Sequence, residues 1–306
     1  MQGSGRIVAL MILGAACGWA SPVNGILHLG DAPGENEITL ELSAFSYSST
    51  RTTIYSGTIE VEMLVDLDAH EVTGFEMTGG AIDTTDASFL FESFPFFSQT
   101  VDTIDYKAVP LSLNGFETFA APGVFDANEH VFFFNEGRTV SEGTFGSSES
   151  FVSDDPFNAA GITTGTLSVA NPQPAISTVT GELIGVDYEV SFSVSLDSRS
   201  YPDPDDETTY VDTSGTVTAS GQVMAYTHPF FEWAVLNFPE AGNALSFTGD
   251  ANGDGAMDGI SWALGQVVGF EKPLNLVFQD PERQLQLELP ESGTRALVTL
   301  QRSSTL

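Results

Sequence analysis

The chain has 306 residues, 42% of them apolar and 23 of them Phe, enough for one large domain, or two modest ones, with a substantial core. Its 42 Asp and Glu against 9 Lys and Arg give a formal net charge of -33, which argues against nucleic acid and against electrostatic docking on anionic membranes. The acids are interleaved with apolar positions, so the charge belongs to solvated faces of folded elements and not to a disordered tail.

The N-terminus reads as an export signal. Arg6 precedes an unbroken apolar run at 7–16, and Gly18-Trp19-Ala20 supplies the small-x-small pattern read by signal peptidase. Residues 1–20 are therefore expected to be a signal peptide, with mature protein starting at Ser21 and a secreted or cell-surface destination; a periplasmic one is the alternative. The run is too short to span a bilayer, and no later stretch is long enough. Cys17, the single cysteine, lies inside this segment. It would carry a lipid if the protein were instead a lipoprotein. Cleavage after Ala20 leaves no cysteine, so stability must come from packing or metal and not from disulfides.

From residue 21 to 247 the dominant period is two. Ile38, Leu40 and Leu42 alternate with polar residues, as do Ile59, Val61, Met63, Val65 and Leu67, then Val186, Tyr188, Val190, Phe192, Val194 and Leu196. Val217, Ala219, Val223 and Ala225 continue the theme, with Gly215 and Gly221 as sites of bulging or close packing. One wet and one apolar face means antiparallel strands. No helical periodicity shows between 21 and 258. The expected fold is all-β, an antiparallel β-sandwich with an up-and-down β-barrel as the alternative.

Two similar turns, at 68–71 and 126–129, place Asp where it can bond its own backbone and His70 or Asn128 where positive φ is tolerated. Each should lead into an apolar strand ending at glycine, Gly79-Gly80 or Gly137. Segments 143–153 and 201–207 read as loops. Fourteen of the 23 Phe fall between Phe89 and Phe157. They make either a thick core or an aromatic-lined cavity or patch for an apolar or sugar ligand.

The chain changes character at 248. Asp250-Ala-Asn252-Gly-Asp254-Gly255-Ala256-Met-Asp258 puts side-chain oxygens at positions 1, 3, 5 and 9 of a calcium loop, with glycine at position 6 for the sharp turn. Asp250, Asn252, Asp254, Gly255 and Asp258 resemble the calcium loop of dockerin-like and thrombospondin type 3-like repeats. The string from Gly249 to Trp262 and Leu264-Gly265 resembles a tail found near the C-terminus of many exported bacterial β proteins. That resemblance implies calcium held by Asp250, Asn252, Asp254, Asp258 and the carbonyl of Ala256. Position 12 is Ser261 in place of the usual carboxylate, and one loop-helix unit stands where dockerins have two. The expected layout is a 21–247 β domain, a 248–270 calcium loop with a short helix, and a 271–306 tail pairing Leu285-Leu287-Leu289 with Ala296-Val298-Leu300.

Enzyme signatures are thin. There is no H-E-x-x-H, no P-loop and no thiol nucleophile. Gly259-Ile260-Ser261-Trp262-Ala263 lacks the last glycine of a nucleophile elbow. Glu60 and Glu62 share a strand face, as catalytic carboxylates of β glycosidases do, but a solvated face explains such a pair in so acidic a chain. His28, His70, His130 and His228 are scattered and read as turn or loop residues. The function expected is that of a secreted or surface-displayed, non-catalytic structural or binding protein, whose partner could be extracellular polysaccharide or a surface protein. A carbohydrate-active β-sandwich enzyme and a carrier of apolar ligands are the alternatives.

Overall fold

The computed structural model describes residues 22–263 except 45, 94, 162–163, 201–207, 252 and 254–256, and adds 276–279 and 284–287. The expected signal peptide and the 201–207 loop lie outside the described residues. The chain divides into a larger unit, 20–173 with 186–225, and a smaller one that includes 174–185 and the chain from 226 onward.

The elements in chain order open with β1 (Val23–Leu29), β2 (Glu37–Ala44), β3 (Tyr47–Asp66), β4 (Glu71–Thr84), β5 (Ala87–Ser93) and β6 (Phe97–Ser112). Short β7 (Glu117–Thr118) and β8 (Val124–Asp126) precede β9 (His130–Gly143), β10 (Gly146–Phe151) and β11 (Phe157–Ala160). The long strands β12 (Thr164–Ile176), β13 (Leu183–Ser200) and β14 (Thr209–Tyr226) follow. Helices α1 (Pro229–Asn237) and α2 (Asp258–Ala263) and the strands β15 (Leu276–Gln279) and β16 (Gln284–Leu287) complete the set.

All strand pairings among the described residues are antiparallel, and in the larger unit they and the backbone bonds of Gly123 close a ring. β1 lies between β3 (Val23↔Met63 to His28↔Thr58) and β14 (Leu29↔Ala219). β3 pairs with β4 and β4 with β7 at Gly74↔Thr118; after a turn at 121–124, whose Gly123 donates its N–H to Val72 O of β4 and accepts Leu167 N–H of β12, β8 lies against β12. β12 adjoins β13, and β13 adjoins β14. The expected all-β fold is present, as one large antiparallel sheet that curls on itself. A ring and a sandwich share one alternation pattern, which is why the pattern left both open. The inward positions are those the alternation marked: Ile59, Val61, Met63 and Val65 from β3, and Val186 through Leu196 from β13, are buried in one solid core with Phe75 and Phe125.

Beyond this ring β3 continues N-terminally, and the sheet curls on. β2 bridges β14 (Thr209↔Ala44) and β3 (Ala44↔Tyr47). On β3's far side Thr53 Oγ1 donates to Thr85 O at 2.7 Å, and Arg51 Nε donates to Ser88 O. From β5 the ladder passes to β6, β9 and β10. Leu42, Ala87, Phe89 and Phe91 form a separate small core there.

Several sequence expectations are corrected. The strands do not end at glycine. β4 runs through Gly79-Gly80 by a bulge, since Glu60 faces Gly79 and Val61 faces Met77. Gly80 has φ 124°, and a Cβ there would meet Thr58 O at 2.3 Å. Segment 143–153 contains β10, a wholly exposed edge strand of sequence GSSESF with no apolar alternation to reveal it. His70 has the expected positive φ of 56°, while Asn128 lies instead in a 3-10 turn capped by Asp126. Gly221 is close-packed as expected, its missing Cβ 2.5 Å from Ile26 O.

In the smaller unit the helix α1 occupies a stretch with no legible helical period. Phe230, Phe231 and Ala234 are buried, and Trp233 and Val235 are partly buried against the same cluster, so no polar face contrasts with an apolar one. Ile184, Phe238, Leu245 and Trp262 complete that core. β15 and β16 pair with Leu276↔Leu287, so Leu285 and Leu287 are in a strand but pair with the chain before them. Asp280-Pro281 between them is a turn signal that the simple alternation count passed over. The expected partner, Ala296 to Leu300, lies outside the described residues.

Candidate functional site

The larger unit holds a cavity of about 1130 Å³ inside the curled part of the sheet. Leu40 and Leu42 of β2, Phe89 and Phe91 of β5, and Phe97 and Val101 of β6 line its sides. At its inner end Phe134 stacks on Phe157 with centroids 4.9 Å apart, and Tyr55 and Tyr106 meet Phe134 edge-on or tilted at 5.9 and 6.3 Å. Burial pushes the Tyr55 phenol well above its ordinary range and raises that of Tyr106, so both are neutral hydroxyls. The Phe-rich stretch therefore supplies both a core, through Phe89, Phe125 and Phe132, and the walls of a cavity.

Polar residues also line this space, and the side chains of Thr53, Thr84, Thr103, Gln99, Tyr106 and Thr139 are engaged by the protein. Thr53 Oγ1 donates to Thr85 O, Thr103 Oγ1 to Ala87 O, and Thr84 Oγ1 to Tyr106 O. Gln99 Nε2 donates to Ser141 Oγ at 2.7 Å, and the Tyr106 and Thr139 hydroxyls bond each other at 2.7 Å. What these residues present inward is chiefly methyl and ring surface. The charged lining residues are Arg199 and Asp155. Arg199 donates to both carboxylate oxygens of Asp212, at 2.6 and 2.7 Å, and lies 3.9 Å over the Tyr210 ring. That pairing holds the Asp212 carboxyl below its usual range.

β10 borders the cavity. Ser148 and Ser150 face Ser141 and Thr139 across the β9–β10 ladder and share their side of the sheet. Among the described residues no ladder joins β10 to β13 or β14.

A second polar group was not anticipated. His130 is 2% exposed, lies between Phe75 and Phe125, and bonds Ser112 Oγ through Nδ1 and Glu117 Oε2 through Nε2, each at 2.7 Å. Met77 N–H donates to Ser112 Oγ at 2.8 Å. The carboxylate fixes the proton of a neutral imidazole on Nε2, leaving Nδ1 to accept from Ser112. Burial lowers the His130 pKa, opposed by Glu117. With Ser on Nδ1, and Ser112 tied to backbone, this is a strap across the 112–130 excursion. Its residue spacing matches no motif, so only the fold reveals it.

The remaining candidates are dispersed. Glu60 and Glu62 lie on the outer wall of the ring; Glu60 lines a shallow groove with His28 and Glu189, and Glu62 stands opposite Glu76. His70 sits in its turn and bonds Tyr188 OH at 2.6 Å, and His228 caps α1. His28 lies in a strand, not a loop.

Of the calcium-loop residues, Asp250 and Asp258 are described; Asn252, Asp254 and Ala256 lie outside the described residues. Asp250 is exposed. Asp258, 2% exposed, opens α2 and accepts Ala251 N–H on both carboxylate oxygens at 3.0 and 3.2 Å, while its own N–H donates to Gly249 O at 2.7 Å. The two ends of the loop are thus drawn together. Trp262, one turn on, packs edge-on to His228 at 5.2 Å.

No protein-family model matches this chain, and no curated protein matches it. One solved structure is similar at low level: Ail, the attachment invasion locus protein of Yersinia pestis, in complex with the heparin analogue sucrose octasulfate. The likeness covers 66% of this chain and 98% of that one, at 9% identity and a TM-score of 0.21, and no argument rests on it. No helix among the described residues is long and apolar enough to cross a membrane.

Proposed function

We propose that the chain is an exported, non-catalytic binding protein that holds an uncharged, predominantly apolar small molecule in the aromatic cavity. The observation that carries this reading is the cavity's chemistry: it is large for a small-molecule site and ring-lined, and the threonine hydroxyls of its β3, β4 and β6 walls are already bonded to protein. Against the aromatic walls a sugar would lose hydrogen bonds to water, whereas a hydrocarbon loses none. Among the described residues the carboxylates are dispersed and His130 is strapped, with no convergent acid–base pair in the cavity. Titration of the mature protein with N-phenyl-naphthylamine, an uncharged fluorescent probe, should give saturable enhancement. Ser148→Trp and Ser150→Trp, which fill the cavity from an exposed strand, should weaken it by at least about tenfold, the equivalent of roughly 1.4 kcal/mol. Unsaturable enhancement, or equal binding in the filled variants, would remove the cavity as the site.

A second reading concerns residues 250–258, which we infer bind one calcium ion through Asp250, Asn252, Asp254, Asp258 and the carbonyl of Ala256. It is supported by the closure of the loop through Asp258 and Ala251. Calcium would neutralise converging carboxylates, and without a position-12 carboxylate its affinity belongs at roughly 10⁻⁴ to 10⁻³ M. Isothermal titration with calcium should give heat that Asp250→Ala with Asp254→Ala abolishes; equal heats in both proteins would make the loop a plain linker.

A further inference from the structure

The cavity opens toward one end of the strands, and three hairpin tips gather there. Ala44 pairs with Tyr47 at the β2–β3 tip, Ser93 with Phe97 at the β5–β6 tip, and Gly143 with Gly146 at the β9–β10 tip. Ring contacts join them: Tyr47 meets Phe97 at 4.9 Å, and Phe97 meets Phe145 at 5.3 Å. Tyr47, Phe97 and Phe145 also line the cavity, so this cluster is its rim. Two rings face outward to an unusual degree, Phe96 at 78% and Phe145 at 77% exposed.

Composition makes the patch sharper. In a chain with 42 acids and 9 bases, residues 44–47, 93–97 and 143–146 contain no charged side chain at all. A surface that meets these tips must therefore accept bare aromatic rings and carry no net negative charge. Aromatic rings on loop tips settle at the boundary between headgroups and acyl chains, where no charge is required.

We propose that the three aromatic hairpin tips dock on a neutral, zwitterionic lipid surface and set the cavity mouth against it, so that the ligand is lipid-like and passes between bilayer and cavity without crossing water. This rests on the cavity being the binding site, and the two claims separate experimentally.

The full mature chain should float with phosphatidylcholine vesicles in a density gradient. Its partition should weaken when phosphatidylserine replaces part of the phosphatidylcholine. Phe96→Ser with Phe145→Ser, both at exposed positions, should lower partition by about tenfold for each ring removed. A Phe145→Trp variant should show a blue-shifted emission on adding the neutral vesicles. Ser150→Trp, which blocks probe uptake, should leave flotation unchanged; loss of uptake with intact flotation marks failure of the cavity claim alone. Protein that stays at the bottom of the gradient, or a double variant that floats like the parent, overturns the proposal. So does a dimer in light scattering that the double variant dissolves while neither form floats, because the tips then serve a second copy of the chain.

Discussion

His130 shows how one buried titratable side chain ties pH to stability. Its imidazole bonds Ser112 and Glu117 and is flanked by Phe75 and Phe125. Burial lowers its pKa; Glu117, with Glu129 and Asp126 further off, opposes this without reversing it. In the unfolded chain the ordinary value near 6.5 applies. Between that value and the lower folded one, the unfolded state binds more protons, so stability is full above about pH 6.5 and declines as pH falls below it. The imidazole resonances should titrate with a midpoint below the ordinary value, and resistance to chemical unfolding should weaken from pH 7 to pH 5. His130→Ala should cost about 3 kcal/mol by opening a void beside Phe75 and Phe125 and removing the bonds to Ser112 and Glu117, measured by urea unfolding at pH 7. A loss below about 1 kcal/mol would show that the strap is dispensable. None of this was visible in the sequence, where the four histidines are isolated and only the fold brings Ser112 and Glu117 to His130.

The helix α1 owes its start to an uncommon cap. His228 Nδ1 accepts Phe230 N–H at 3.1 Å, and Pro229 follows at the first helical position. Only a neutral imidazole can accept, and burial lowers the His228 pKa, so the cap persists to mildly acid pH and is lost once the ring is protonated. His228→Asn should keep the helix start at pH 5, whereas His228→Ala should destabilise by about 1 kcal/mol at pH 7. Thermal melts of both variants at the two pH values check this. The same scale shows what the sequence made legible. Strands with one wet face, such as 186–196, were read position by position, because burial alternates with the pleat. The helix α1 was missed because its surroundings bury it on several sides. β10 was missed because an edge strand exposed on both faces has no period. The aromatic cavity was one of two stated outcomes, but its walls come from strands far apart in sequence, so composition alone could not separate it from a core.

At the scale of the molecule, a charge of -33 on this length of chain opposes compaction. Raising sodium chloride from about 0.01 to about 1 M shortens the screening length from about 30 to about 3 Å. The melting temperature should rise across that range, on the order of 5 °C; a flat response would mean that the acids are already neutralised by bound cations. The long shared strands have a different consequence. β3 is 20 residues long, and its C-terminal part lies in the closed ring while its N-terminal part borders the cavity. One continuous backbone therefore belongs to two packing environments. Amide protons from Ile59 to Val65 can exchange with solvent deuterons only when the solid core opens, whereas those from Tyr47 to Tyr55 need only a local parting of β2 or β5. Deuterium uptake along β3 should thus run from slow to fast over a single strand. A guest in the cavity would slow only the fast part, so the exchange profile would report occupancy without any knowledge of what the guest is.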